Sequence, residues 1–234
     1  MCIIVFKPSG EKLPKRKRLK RCWDNNPDGA GYMFPSNNLV VIKKGFMDYN
    51  EFITSLQDDY KKYGDTTPFV LHFRISTQGG VKKGLTHPFP FTRELEDMRK
   101  TRVKCQIGVA HNGIIDLTTE SYWKRKDVDY NDTMKFIADY LTLIIDDFKW
   151  YEKKNKVKLI EQLISGSRLA IMDGLGHTEL IGDWVQDDGI FYSNTYYKTD
   201  RVKYSYNSTT TTLNTKENTN NANTTRSIGF TSTK

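Results

Sequence analysis

The sequence has little cysteine: Cys2, Cys22 and Cys105 are the three thiols in 234 residues. An odd count, with no CxxC pair and no interleaved Cys/His spacing, suggests neither a disulfide framework nor a zinc site and leaves at least one thiol free. Long apolar runs are also missing. None approaches the ~18 residues of a membrane span, and basic residues occupy positions 1–20 where the apolar core of a secretory signal would lie. A cytoplasmic protein with no membrane partner is therefore expected. Internal repeats are absent too, so a solenoid or propeller is not indicated.

Charge of one sign is abundant. The formal net charge is +8, which invites a polyanionic partner. Much of the excess sits in "EKLPKRKRLKRC", where Lys12, Lys15, Arg16, Lys17, Arg18, Lys20 and Arg21 crowd together. No stacking aromatics interleave with these charges and no nucleic-acid-binding motif follows. The segment reads first as a solvated helix face with Leu19 and Trp23 turned inward. Nucleic acid bound through residues 12–21 is the less favoured alternative.

Hydrophobic residues make up 37% of the chain, enough for one sizeable core provided the polar excess is concentrated elsewhere. It is concentrated at the end: 20 of the 30 residues from Ser205 to Lys234 are Ser, Thr or Asn. Such a segment cannot offset its ordering entropy and is expected to be disordered. The predicted organisation is one domain over 2–200 and a tail over 205–234.

Within the domain, "MCIIVF" opens a strand. The stretch "DNNPDGAGYMFPSNNLVVIKKG" predicts a hairpin joined at "PSNN". "DYNEFITSLQDDYKKYG" spaces Phe52, Ile53, Leu56 and Tyr60 at helical intervals and stops at Gly64. "PFVLHFRIS" predicts a buried strand, and "TRVKCQIGVAHNGII" another that ends in a turn at Asn112-Gly113. The longest helix is expected in "YNDTMKFIADYLTLIIDDFKWY", with Phe136, Ile137, Tyr140, Leu141 and Ile144 on its apolar face. A shorter helix through "NKVKLIEQLIS" follows, then short strands in "SRLAIMD", "HTELIGDW" and "GIFYSN". Strands, a helix, strands, two helices and strands again argue for an α+β domain of stacked layers.

Four separated stretches carry a resemblance: "MC" at the start, "HFRISTQGG" at 72–80, "AHNGII" at 110–115 and "NDT" at 131–133. In this order they resemble the glutaminase domain of class II glutamine amidotransferases, members of the N-terminal nucleophile hydrolases. "NPDGAGY" and "THPF" are similar to further stretches of that domain. The likeness spans roughly 2–195 and is a composite of short motifs. It implies a four-layer αββα sandwich of the N-terminal nucleophile hydrolase type.

The chemistry explains the residue types. Hydrolysis of an amide needs a nucleophile, a base for its proton and donors facing the oxyanion. Once Met1 is removed, Cys2 supplies both of the first two: its thiol attacks, and its α-amine, with an ordinary pKa of ~7.7–8.0, shuttles the proton. A peptide-bonded nitrogen has no basic lone pair, so the reading requires that removal. The resemblance assigns Asn112 and Gly113 to the oxyanion hole. An isolated Asn-Gly would read as a turn, and both roles are compatible.

Glutamine is a zwitterion, so its site should offer a cation to the α-carboxylate and an anion to the α-amine. The resemblance places Arg74 and Asp132 in these roles. From the residues alone Arg74 could serve a structural ion pair, and Asp132 reads as the cap of the long helix with Thr133 beginning it. Thr77 is a candidate substrate contact and His87 matches a histidine near the site in relatives, a loop histidine bonded to backbone being its bland alternative. His111 reads as structural support, and Cys22 and Cys105 as packed small hydrophobes. No metal or cofactor is expected. The implied activity gives glutamate and ammonia, with the ammonia acceptor on a separate protein. The alternative is a catalytically idle fold of this type that binds nucleic acid or an acidic partner through its basic segment.

Overall fold

The structure is a computed structural model that describes residues 1–76, 80–116, 129–147 and 149–199. Thr77 and the proposed tail at 205–234 lie outside the described residues. The described strands are β1 (Ile3–Lys7), β2 (Ala30–Ser36), β3 (Leu39–Phe46), β4 (Phe69–Phe73), β5 (Phe89–Pro90), β6 (Arg102–Cys105), β7 (Ile107–Asn112), β8 (Arg168–Asp173), β9 (Thr178–Ile181), β10 (Val185–Asp187) and β11 (Ile190–Tyr192). The helices are α1 (Arg16–Asn25), α2 (Tyr49–Tyr63), α3 (Leu95–Arg99), α4 (Asp132–Phe136), α5 (Thr142–Ile144) and α6 (Lys154–Ile164), with a π-helical turn at Ile137–Leu141 joining α4 to α5.

The strands form two sheets. Seven run in the order β10-β11-β1-β4-β2-β3-β6 and four in the order β5-β7-β8-β9. All pairings are antiparallel. The fold is thus mixed α+β.

β1 shows why its sequence is apolar throughout. All five of its residues are buried, because both faces are covered, so "IIVF" reads as a continuous run instead of an alternation. Ile3 and Val5 pack with Leu19 and Trp23 of α1 and Phe52 and Leu56 of α2. Ile4 and Phe6 point the other way, into a cluster with Met33, Val70, Ala110, Ala170 and Met172 that joins the two sheets. A third cluster packs Val109, Leu169 and Ile171 of the small sheet against Met134, Ile137, Leu141 and Ile160. Each large apolar side chain buried in these layers contributes ~1.5–3 kcal/mol.

Local signals fix several elements. The β2–β3 hairpin turns at Asn37 (φ 54°) and Asn38 (φ 59°), the paired positive φ that favours asparagine in a tight turn. α2 begins where Asp48 accepts from the N–H groups of Asn50 and Glu51, and ends at Gly64 with φ 74°. α1 buries Leu19, Cys22 and Trp23 and exposes Arg16, Lys17 and Lys20, as its spacing predicts, while Arg18 and Arg21 are half-buried and Arg18 bonds to Tyr192 Oη at 3.2 Å.

Elsewhere the structure differs from the sequence-based expectations. Residues 102–112 are two strands, because β6 pairs with β3 in the large sheet and β7 with β8 in the small one. A continuous strand could not serve both sheets, so the chain breaks at Gln106. Asn112-Gly113 ends β7 without forming a hairpin, since β8 arrives only from Arg168. α2, at 15 residues, is the longest single helix among the described residues, because the segment expected to be longest is interrupted by the π-turn and stops at Ile144. Its cap is Asn131, which accepts from Met134 N–H, and Asp132 is the first helical residue. β10 and α3 went unread, being too short to carry a period.

Candidate functional site

The site forms where β1 begins and β4 and β7 end. Alternation along β1 puts Cys2 on the face of Ile4 and Phe6, toward the gap between the sheets. The register pairs Ile3 with Phe73, so Cys2 lies beside Arg74, one step beyond the last pair. β7 brings Asn112 into the same gap, on the face of Gly108 and Ala110. Small residues are required there: a Cβ on Gly108 would meet Met33 Sδ at 2.6 Å.

Cys2, Arg74, Ile75, His87, His111, Gly113, Asn131, Asp132 and Thr133 line a single small pocket of about 30 Å³, open to solvent. Five of the residues selected from sequence, Cys2, Arg74, His87, Gly113 and Asp132, are therefore brought together. Asn112 lies beside the pocket without lining it.

The Cys2 thiol is half-buried. Ile75 N–H donates to Sγ at 3.4 Å and the thiol donates to the Ile75 carbonyl at 3.4 Å. Burial raises the thiol pKa, opposed by the Ile75 N–H, the N-terminal charge and Arg74. Its carbonyl accepts from Asn194 Nδ2 at 2.7 Å. Arg74 is 3% exposed. Its Nη1 donates to the Gly80 carbonyl at 2.8 Å and its Nη2 to Ser76 Oγ at 3.1 Å. Burial lowers its pKa, while Cys2, Asp28 and Asp132 favour its charge. Asp28, from "NPDGAGY", also accepts from Ser76 N–H at 2.8 Å, and that stretch approaches closely because a Cβ on Gly31 would meet the His87 carbonyl at 2.2 Å.

Asp132 accepts from two backbone donors, Ile115 N–H at 3.0 Å and Thr133 N–H at 2.8 Å, and from the Thr133 hydroxyl at 3.3 Å. A carboxylate has about four acceptor positions, so these bonds leave one for a ligand ammonium. Gly113 has φ 145°, and a Cβ there would meet Ser167 Oγ at 2.1 Å. Only glycine fits. Asn112 shares a 2.8 Å hydrogen bond with Ser193 Oγ.

Sequence reasoning missed a buried polar cluster behind the pocket. Thr133 Oγ1 lies 3.0 Å from His87 Nε2 and 2.8 Å from His111 Nδ1. His72 Nε2 donates to the His111 carbonyl at 2.9 Å, and its ring stacks on His87 with centroids 4.3 Å apart. Burial pushes the histidine pKa values down, to about 3 for His72 and about 4 for His111, with His87 also well below its usual value. These imidazoles are neutral at neutral pH. His87 is thus no backbone-satisfied loop side chain, and His111 combines packing with a place in the pocket wall. The available signal was His72, a polar residue inside the apolar run "FVLHF". Lys44 is buried alongside, where its Nζ donates to the Gly84 and Met98 carbonyls at 3.0 and 2.6 Å and sits 3.8 Å over the Phe89 ring. Burial, with Arg74 nearby, lowers its pKa well below the ordinary range.

Among the described residues, no group of three or more His, Cys, Asp or Glu side chains is arranged to hold a metal ion. The arrangement presents a thiol, a guanidinium, a carboxylate and a strand-end glycine to one small volume. No protein-family model matches the chain and no curated protein matches it.

Proposed function

We propose that the chain hydrolyses glutamine with Cys2 as an N-terminal nucleophile, within a four-layer αββα sandwich of the N-terminal nucleophile hydrolase type. One observation carries the reading: Cys2, Arg74, Gly113 and Asp132, from four distant stretches, line the same pocket. The opposed guanidinium and carboxylate suit the α-carboxylate and α-ammonium of a free amino acid, and a neutral or bulky amide has no use for both.

The steps follow from the groups present. With Met1 removed, the α-amine of Cys2 takes the thiol proton as Sγ attacks the amide carbon. The negative charge that forms on oxygen faces Gly113 N–H and the Asn112 carboxamide, each such donor being worth ~3–4 kcal/mol in the transition state. The C–N bond breaks as the nitrogen takes up the proton and leaves as ammonia. Water then attacks the γ-glutamyl thioester, giving glutamate and regenerating the thiol. Burial favours the neutral thiol, and the N-terminal charge and Arg74 oppose it; the adjacent amine takes the proton as Sγ attacks, because the thiolate is the nucleophilic form.

The ammonia acceptor is assigned to a separate protein. Lys12, Lys15, Arg16, Lys17 and Lys20 are exposed, and of these only Lys20 has an ion-pair partner, Asp24, among the described residues. This basic face also supports the second reading, an idle fold that binds an acidic partner or nucleic acid. Ammonia release from glutamine decides between them. Wild type is expected to release it, Cys2→Ser to be nearly inactive, and Arg74→Ala mainly to raise KM, since it loses a contact to an unreacting part of the substrate. Salt-sensitive polyanion binding that persists in Cys2→Ala, with no ammonia from wild type, establishes the second reading instead.

A further inference from the structure

The hydrogen bonds around Asn112 assign a role to Ser193, which follows directly on β11. Ser193 Oγ accepts from Ile4 N–H at 2.8 Å, and Ser193 N–H donates to the Ile4 carbonyl at 3.0 Å. The same oxygen lies 2.8 Å from the carboxamide of Asn112. Both side chains are buried, Asn112 at 2% exposure and Ser193 at 1%.

With Nδ2 toward Ser193, the hydroxyl oxygen receives two N–H donors while its own proton has no acceptor among the described residues. Asn112 Oδ1 is then buried with no partner, and the second N–H of Nδ2 is also unmatched. Three polar deficits result. A half-turn of the carboxamide exchanges Oδ1 and Nδ2 in nearly the same space, so the hydrogen-bond network decides between them. Ser193 Oγ–H then donates to Oδ1 while still accepting from Ile4, and the only deficits are the two N–H groups of Nδ2. An unsatisfied buried donor or acceptor costs ~1–3 kcal/mol, so the second arrangement is favoured. It also leaves a nitrogen with two unused donors on the side of the carboxamide away from Ser193.

We propose that Ser193 is a positioning residue: its hydroxyl, fixed by Ile4 N–H, holds Asn112 Oδ1 and thereby presents Nδ2 as an oxyanion donor. The proposal rests on the glutaminase reading for its catalytic consequence, and its geometry stands apart from it. Serine serves here because it can accept from the backbone and donate to the amide at once. Alanine does neither.

Two measurements test it. A neutron structure of the Cys2→Ala protein locates the deuterons directly and needs no activity. A Ser193 O–D pointing at Asn112 Oδ1 is expected, and an Asn112 N–D pointing at Ser193 Oγ overturns the proposal. In kinetics, Ser193→Ala is expected to lower kcat tenfold or more with KM for glutamine within twofold, and Ser193→Thr to recover most of the loss. In an Asn112→Ala background, Ser193→Ala should change kcat less than twofold. A full tenfold loss there shows that Ser193 acts through Ile4 and Cys2, and overturns the positioning role. Should wild type release no ammonia, the glutaminase reading fails, and the neutron result alone decides the geometry.

Discussion

At Gly113 the backbone conformation and the crowding make the same demand. The positive φ disfavours any L side chain, and the neighbouring Ser167 occupies the space a Cβ would need. Gly113→Ala should therefore abolish ammonia release and also destabilise the fold by ~1–3 kcal/mol, the usual range for overpacking, read as a lowered urea midpoint at unchanged slope. Cysteine reactivity is separable in the same residue-by-residue way. Burial pushes Cys22 and Cys105 up to about 12, whereas Cys2 reaches the pocket. Mass spectrometry after treatment with a glutamine-mimicking electrophile should find Met1 absent and one adduct on Cys2. An adduct on Cys22 or Cys105 with Cys2 intact contradicts the proposed nucleophile.

Among the elements, the β2 end is the joint on which the site's walls depend. Gly31 packs under the His87 carbonyl and against Lys44, where a Cβ would fall 2.2 Å from one and 2.5 Å from the other. The first obstacle is backbone and cannot swing aside, so Gly31→Ala is expected to cost more than the ordinary ~1–3 kcal/mol of overpacking and to impair ammonia release through displacement of His87. The cap of α2 supplies a contrasting control. Asp48 satisfies two backbone donors and does not line the pocket, so Asp48→Ala should lower stability by ~1 kcal/mol with kcat/KM within twofold of wild type. α1 behaves as its amphipathic spacing dictates, because its burial is decided by neighbours three and four residues away. The π-turn in Ile137–Leu141 is different in kind. It answers to the fit of that helix against the small sheet, and no local residue announces it.

For the whole molecule, the buried histidines set the acid limit. His72, His87 and His111 have folded pKa values depressed by burial, while the unfolded chain titrates them near ~6.5. As pH falls below that value the unfolded state binds protons that the folded state refuses, so stability declines with falling pH. Each histidine steepens the decline by ~1.4 kcal/mol per pH unit, down to about 4 for His111 and about 3 for His72. Thermal unfolding between pH 7 and 4.5 should show this loss. An unchanged Tm over that interval contradicts the buried neutral cluster. The sequence by itself determined much of this protein: the apolar run of β1, the Asn37-Asn38 turn, the capped α2 and the inward face of α1 are legible because each depends on residues close in the chain. The motif resemblance also pointed to Cys2, Arg74, Gly113 and Asp132, which meet in the pocket, whereas by residue type alone Asp132 reads as a helix cap and Asn112-Gly113 as a turn. Only the tertiary structure decided that 102–112 would divide between two sheets, that three histidines would share one interior around Thr133, and that Ser193 would reach Asn112. Those outcomes depend on which strands lie opposite one another, and the chain separating such residues carries no local trace of their meeting.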